Sequence, residues 1–255
     1  MLSFRTIHDC AIRAGFDDCG AAPARRQDSD AAYMEQWVAQ GLHGEMSYFE
    51  RNREKRYNPC EIVEGAETVV VCVLRYDKCK RDYHRTIKSM LYELDAMLYP
   101  AAEDRTQAQH IFCDSAPFLE RRWAVEAGLG FIGRNRQFFH RTLGSMVHLG
   151  ELVLREPVDG IPASEPCEGC PTDCRRCMEA CPTGALRNAV WDARQCIAYT
   201  THRCLVCQQA CPLNAAASSL CRDNYGNDTA TRADFALTIR CQNNKSTRRN
   251  SIIVK

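Results

Sequence analysis

The cysteines of this chain are clustered, and their spacing constrains the fold more than any other feature of the sequence. The 255 residues include 17 cysteines, nine of which lie between Cys167 and Cys211. This block contains two copies of one pattern, Cys174-x2-Cys177-x3-Cys181-Pro182 and Cys204-x2-Cys207-x3-Cys211-Pro212. Clustering with an odd total indicates metal ligation in a reducing compartment rather than a disulfide framework.

Each copy matches the end of the bacterial ferredoxin motif, in which the last cysteine ligates the other of two clusters. Two [4Fe-4S] cubanes need eight thiolates, and the block offers nine. Cys196 supplies the extra ligand of the second copy, because no nearer cysteine precedes Cys204. For the first copy the choice lies between Cys167 and Cys170, and we favour Cys170 on reach. The predicted ligands are Cys170, Cys174, Cys177, Cys181, Cys196, Cys204, Cys207 and Cys211.

A structural zinc site is the alternative for the cysteine block, since paired C-x2-C motifs also form zinc ribbons. Zinc would leave four or five of the nine cysteines unused, and it gives no reason for two Cys-Pro endings. The two-cluster interpretation predicts electron transfer but does not identify the acceptor.

Before the cysteine block, apolar runs of strand length alternate with amphipathic segments. We predict strands at about 69–74, 110–113 and 147–154, and helices at about 3–14, 30–53 (interrupted at Gly41 and Gly44), 82–98 and 117–127. The alternation predicts an α/β layered fold. We expect three parts: an α/β catalytic domain over residues 1–157, a ferredoxin-like domain with two clusters over 158–215, and an irregular tail over 216–255.

Several function classes are excluded or disfavoured by composition. A formal net charge of +1 gives no general electrostatic basis for coating nucleic acid. No apolar run reaches the length of a membrane span, and no signal peptide opens the chain, so we expect a cytoplasmic protein without membrane contact. Gly128-x-Gly130-x-x-Gly133 follows a predicted helix rather than a strand, which argues against a dinucleotide site.

Several blocks of sequence, in a fixed order over about residues 10–214, resemble the epoxyqueuosine reductase family. They are Gly41-Leu42-His43-Gly44-Glu45-Met46-Ser47-Tyr48, Arg56-Tyr57-Asn58-Pro59, Asp82-Tyr83-His84, Asp114-Ser115-Ala116-Pro117-Phe118-Leu119-Glu120-Arg121, Ala127-Gly128-Leu129-Gly130-Phe131-Ile132-Gly133-Arg134-Asn135, Leu149-Gly150-Glu151 and Cys196-Ile197-Ala198-Tyr199.

This resemblance implies a cobalamin-dependent oxidoreductase with a core like that of reductive dehalogenases. Such an enzyme reduces epoxyqueuosine to queuosine in a tRNA anticodon loop, using cob(I)alamin supplied with electrons by two [4Fe-4S] clusters. It implies one cluster on Cys170, Cys174, Cys177 and Cys211 and the other on Cys181, Cys196, Cys204 and Cys207. The expected partners are the tRNA and an external low-potential electron donor, and we expect a monomer.

The resemblance also implies roles for individual residues. Asp114 is similar to the family's proton donor, which an opened epoxide requires. Corrinoid contacts are implied at Arg56, Cys79, Asp114, Arg134, Asn135 and Gly150. The residues alone leave other interpretations open: Asp114 as the cap of a helix beginning near Pro117, Arg56 as a solvated surface arginine, and Cys79 as a free buried thiol.

Three departures from the family pattern bear on function. Five residues separate Tyr76 from Asp82, and seven separate Cys196 from Cys204, where the family has longer segments. The helical-repeat domain of long family members is absent from the sequence, so we expect a shortened member. Two alternatives therefore stay open: a related corrinoid reductase of a small molecule, and a non-catalytic carrier with two clusters.

Overall fold

The structure is a computed structural model that describes residues 2–79, 82–100, 110–164, 169–201 and 204–214. The α-helices in these ranges are α1 (Phe4–Arg13), α2 (Asp28–Ala39), α3 (Arg53–Tyr57), α4 (Tyr83–Leu98), α5 (Glu120–Glu126), α6 (Arg176–Ala180), α7 (Ile197–Thr201) and α8 (Val206–Gln209). The strands are β1 (Asp18–Pro23), β2 (Thr68–Arg75), β3 (Ile111–Phe112), β4 (Gly130–Ile132), β5 (Phe138–His140) and β6 (Val147–Leu154). The expected tail and Cys167 lie outside the described residues.

Four strands form the central sheet, in the order β1-β2-β6-β3, and every neighbouring pair is antiparallel. The apolar run Val69–Leu74 forms the middle of β2 and is buried along its whole length. A strand with neighbours on both edges and layers on both faces needs such a run of apolar residues. The predicted strand 147–154 coincides with β6. Strands β4 and β5 make a separate antiparallel hairpin.

The two faces of the sheet bury two different cores, as the alternation of side chains along a strand requires. Val70, Cys72 and Leu74 point towards α1 and α4. Val69, Val71 and Val73 pack on the other side, in a core that includes Trp123 of α5. The sheet therefore lies between helices on both faces, and the predicted α/β layered class is confirmed.

Two predicted helices have different bounds in the structure. The helix expected over 30–53 ends at Ala39, because Gly41 and Gly44 take positive φ angles of 65° and 61°, which turn the chain out of a helix. The helix expected from Pro117 begins only at Glu120. The strand β1 and the hairpin of β4 and β5 were not predicted.

The cysteine segment packs directly on the part of the chain before it. The indole of Trp37 stacks on Trp191 with ring centroids 5.5 Å apart, and its Nε1 donates to the Trp191 carbonyl oxygen at 2.6 Å. The fully buried Asn214 side chain accepts from the Ser145 backbone N–H at 2.7 Å and donates to the Gln208 carbonyl oxygen at 2.8 Å. These contacts fix the cysteine segment against the sheet domain. The division at residue 157 stays a prediction.

Candidate functional site

The first group of cysteines surrounds a small cavity beside α6. Its lining includes all four thiols that the family resemblance assigns to one cluster, Cys170, Cys174, Cys177 and Cys211. Cys177 is buried, and the other three are half-buried. Burial and the neighbouring thiols, Cys170 first among them, raise the pKa of Cys177. Four crowded thiolates repel one another, so this arrangement calls for a cationic centre between them.

The second group surrounds a larger cavity between α8 and the segment 181–186, which follows α6. It is lined by Cys181, Cys196, Cys204 and Cys207. Burial, followed by the charges of Cys204 and Cys196, raises the pKa of Cys207 to about 12. The charge of Cys177, from the first group, also contributes to the raised pKa of Cys207, so the two groups lie next to each other.

A single ion and a cluster require different arrangements of four thiols. Zinc bonds to sulfur at about 2.3 Å, which holds four tetrahedral sulfurs about 3.8 Å apart. Among the described residues, no three His, Cys, Asp or Glu side chains converge closely enough to hold one metal ion. A cubane places irons and sulfides between its thiolates and so needs ligands that surround a space. The two four-cysteine cavities fit cubanes.

A third and larger cavity adjoins the second cysteine group. Its volume is about 350 Å³, and it lies between α2, the segment 48–56 and the segment 114–122. Arg121, Arg136 and Trp191 line both this cavity and the one around the second cysteine group. The first cysteine group shares no lining residue with it. The second group is therefore the one beside the large cavity.

Asp114 lines the large cavity from the loop that follows β3. Its φ of 51° lies in the left-handed region, which is costly for a residue with a side chain. Two contacts hold it there. Its backbone N–H donates to Oε1 of Glu120 at 2.6 Å, and its Oδ2 accepts from the Tyr83 hydroxyl at 2.7 Å. Asp114 does not cap α5, whose N-cap residue is Leu119, so the capping interpretation is wrong.

Aromatic and histidine rings stack behind Asp114. The Tyr83 ring lies between His84 and His148, with centroid distances of 4.0 Å and 4.1 Å, and His148 also packs on Tyr76. Burial lowers the pKa of His148 to about 4, so this ring is neutral at neutral pH. Burial and the nearby Asp114 charge raise the pKa of Tyr83, which keeps its hydroxyl proton in place. Tyr83 is therefore a permanent donor to Oδ2 of Asp114.

Arg56 is buried in the wall of the large cavity and is not a solvated surface arginine. Its guanidinium donates to the carbonyl oxygens of Tyr48, Phe49 and Arg51 at 2.8, 3.3 and 3.2 Å. It also lies over the Phe49 ring, 4.9 Å from the centroid. These contacts shape the segment 48–56 from inside.

Four of the other residues with expected corrinoid contacts lie outside the lining of the large cavity. Cys79 is buried in the core between the sheet and α4. Gly150 faces the same helix, where an added Cβ would lie 2.4 Å from Cγ2 of Ile87. Arg134 and Asn135 line the cavity of the first cysteine group, and Asn135 also reaches the second. The structure thus gives Gly150 a packing role and directs Arg134 to a cysteine loop.

Sequence reasoning missed several residues that build this site. Glu120, Arg121 and Trp191 had no assigned role, and Tyr83 appeared only as part of a motif. Burial lowers the pKa of Arg121, whose guanidinium donates to the Arg136 carbonyl oxygen at 2.7 Å between the two cavities. A signal for Tyr83 was present in the adjoining Tyr83-His84 pair, but its contact with Asp114 spans 31 residues.

Comparison with known proteins identifies the family. No family model matches the sequence. The curated epoxyqueuosine reductase of Cyclobacterium marinum is 33% identical to the chain over 245 aligned residues, covering 82% of this chain and 78% of that protein. The chain belongs to the epoxyqueuosine reductase family. The epoxyqueuosine reductase of Leadbetterella byssophila is 30% identical and covers 84% of this chain and 80% of its own length.

Solved epoxyqueuosine reductases share the fold of the described chain. The structure from Streptococcus thermophilus aligns with a TM-score of 0.71 at 25% identity, over 82% of this chain and 65% of its own. A second, solved with an epoxyqueuosine-modified tRNA stem loop, gives a TM-score of 0.72 at 26% identity and covers 64% of its own length. A third, from Bacillus subtilis, has an aspartate catalytic loop swung out of the active site. The chain thus spans about two thirds of the solved relatives it matches.

The large cavity accommodates a corrinoid only in part. Its volume lies at the lower end of the range for small-molecule pockets, and one side opens to solvent. Rings from α2 and the segment 48–56 provide apolar walls suited to the flat face of a corrin, and Asp114 and Arg56 lie at its edge. No described helix combines the length and apolar character of a membrane span.

Proposed function

We propose that this chain reduces epoxyqueuosine to queuosine in the anticodon loop of a tRNA. The observation that carries the proposal is the juxtaposition of Asp114 with the second cysteine group, which in turn adjoins the first. The second group shares wall residues with the cavity into which the Asp114 loop projects. Membership of the epoxyqueuosine reductase family supplies the substrate. The relative solved with an epoxyqueuosine-modified stem loop supports the tRNA as its carrier.

The electron requirement of the reaction suits the cofactors that the cysteines would hold. Removal of the epoxide oxygen as water consumes two electrons and two protons and leaves a carbon–carbon double bond. Cys170, Cys174, Cys177 and Cys211 would hold one [4Fe-4S] cluster, and Cys181, Cys196, Cys204 and Cys207 the other. A corrinoid, if bound in the large cavity, would supply the strongly reducing chemistry that the reaction needs. Arg56 and the rings of α2 would border it.

The chain's own contribution to the chemistry is centred on Asp114. Its carboxyl group would give a proton to the epoxide oxygen as the first carbon–oxygen bond breaks, which would otherwise leave an alkoxide on the neighbouring carbon. Because Tyr83 bonds to Oδ2, the other oxygen, Oδ1, is left for the substrate. The Glu120 bond to the Asp114 backbone holds the loop in its left-handed turn. Tyr83 and Glu120 are therefore positioning residues.

Further partners belong to the same proposal. An external low-potential donor would reduce the cluster held by the first cysteine group, which shares no lining residue with the large cavity. We place the reaction in the cytoplasm, where tRNA is modified, and we propose that the chain acts as a monomer.

The test is an anaerobic assay on reconstituted protein. The chain is loaded with iron, sulfide and cobalamin, supplied with a chemical reductant, and incubated with epoxyqueuosine-containing tRNA. The tRNA is then digested to nucleosides, which are identified by mass spectrometry. We expect queuosine from the wild type and a loss of about 10²- to 10⁴-fold in Asp114→Asn, with unchanged cluster spectra. Absence of queuosine from protein that carries both clusters and the corrinoid would contradict the proposal.

A further inference from the structure

Arg134 makes four contacts with the loop that carries the first cysteine group. Its backbone N–H donates to Sγ of Cys170 at 3.4 Å. Its guanidinium donates to the carbonyl oxygens of Pro171, at 2.7 Å, Thr172 and Cys174. One side chain from the sheet domain thus binds three backbone positions in a five-residue stretch that includes two of the proposed ligands.

The backbone around Arg134 is rigid, so these contacts are held in place. A tight turn follows β4, in which the Arg136 N–H donates to the Gly133 carbonyl oxygen at 2.9 Å, and the Gly133 N–H donates to the Gln137 carbonyl oxygen at 2.9 Å. An added Cβ at Gly133 would lie 2.6 Å from the ring of Phe139, so the hairpin closes tightly at this point. The glycine-rich stretch therefore positions Arg134 against the cysteine loop rather than against a flat cofactor.

Charge and hydrogen bonding at this position have a defined consequence for a cluster. Reduction adds one negative charge to a [4Fe-4S] centre. N–H groups that donate to its sulfurs, and cations beside it, stabilise the reduced form. The Arg134 guanidinium is a permanent cation, and its fork of donors spans the loop as a lysine ammonium could not. Arg121 and Arg136 line the cavity of the second group, but no arginine hydrogen bond to the 204–207 loop is found among the described residues.

We propose that Arg134 belongs to the site of the first cluster, where it holds the ligand loop and raises the reduction potential of that cluster alone. This inference rests on the cluster ligands of the proposed function. Its consequence is an easier first step, in which the cluster remote from the large cavity accepts an electron from the external donor.

The test is a redox titration of the reconstituted protein, followed by electron paramagnetic resonance, without tRNA or corrinoid. The signals are assigned with Cys170→Ser and Cys196→Ser, which each alter one cluster. In Arg134→Gln we expect a lower midpoint potential for the first cluster and an unchanged potential for the second. Arg134→Lys keeps the charge, so its shift should be the smaller one. Arg175→Gln is the matched control, because it removes the same charge from an exposed position of the same loop.

Each outcome decides the matter. If Arg134→Gln loses the first cluster on reconstitution and keeps the second, Arg134 is part of that site. Equal shifts in both clusters, no shift in either, or a shift in Arg175→Gln as large as in Arg134→Gln would overturn the inference. Wild-type protein that takes up no cluster would instead refute the cluster assignment. Wild-type protein with two clusters, a selective Arg134 effect and no queuosine would refute the proposed substrate alone.

Discussion

The replacement Gly150→Ala tests whether this glycine packs a helix or contacts a cofactor. An alanine Cβ would lie 2.4 Å from Cγ2 of Ile87 and 3.1 Å from Cδ1 of Leu91, both in fully buried side chains of α4. Ordinary contacts of this kind are 3.4–4 Å, so α4 must move away from the sheet. Overpacking of a core costs about 1–3 kcal/mol, and we expect about 2 kcal/mol here.

The assay is thermal unfolding of wild type and variant, reconstituted in parallel and heated at one rate. For a folded unit of this size, a loss of about 2 kcal/mol lowers Tm by about 4–8 °C. Gly169→Ala is the control, because nothing lies within 4 Å of its added Cβ, and its Tm should not change.

A second variant separates crowding from other causes. Ile87→Ala removes the methyl group that the new Cβ of Gly150→Ala would meet, so the double variant should be less destabilised than the sum of the two single variants. Additive losses would contradict the crowding argument. An unchanged Tm in Gly150→Ala, together with weaker cobalamin binding, would refute the packing role and restore the cofactor contact.

Two further predictions concern the rings behind Asp114. Tyr83→Phe removes the hydroxyl that donates to Oδ2 of Asp114, and we expect roughly a tenfold fall in turnover with normal cluster spectra. Tyr92 is exposed on the same helix, so Tyr92→Phe should leave turnover unchanged. An equal fall in both variants would contradict the positioning role of Tyr83. Burial lowers the pKa of His148 to about 4, against 6.5 in the unfolded chain. Between these two pH values the unfolded state binds more protons than the folded state, so the free energy of unfolding falls as the pH falls, by up to about 3 kcal/mol. His148→Phe keeps a stacking ring and should lose less stability than wild type between pH 6.5 and 4 in unfolding experiments; parallel curves would refute this.

The parts of the fold that local pattern determines were predictable. The strand β2 follows from a continuous apolar run, β6 from a strand-length segment rich in Val and Leu, and α4 from its helical periodicity. Strand β1 was missed because its sequence, Asp18-Cys19-Gly20-Ala21-Ala22-Pro23, has no β-branched or aromatic residue. Its strand conformation comes from pairing with β2, and Gly20 admits the backbone of Ala127 so closely that an added Cβ would lie 2.5 Å from its oxygen.

The site divides along the same line. That the two cysteine sets ligate clusters stays a prediction, but their grouping around two cavities was predictable from the family resemblance. The placement of single residues in a motif was not. Arg134 and Gly150 both lie in blocks that resemble the family, yet what each of them contacts depends on a partner far along the chain, the 170–174 loop and α4. Motif membership therefore identifies a segment, and tertiary contacts decide what each residue touches.

Iron and sulfide analysis of the reconstituted chain shows whether eight cysteines hold two separate cubanes. We expect about eight irons and eight sulfides per chain, falling to about four of each in both Cys174→Ser and Cys204→Ser. Cys60→Ser, an exposed cysteine outside both cavities, should retain about eight. A wild-type chain that binds one or two metal ions without sulfide would contradict the account.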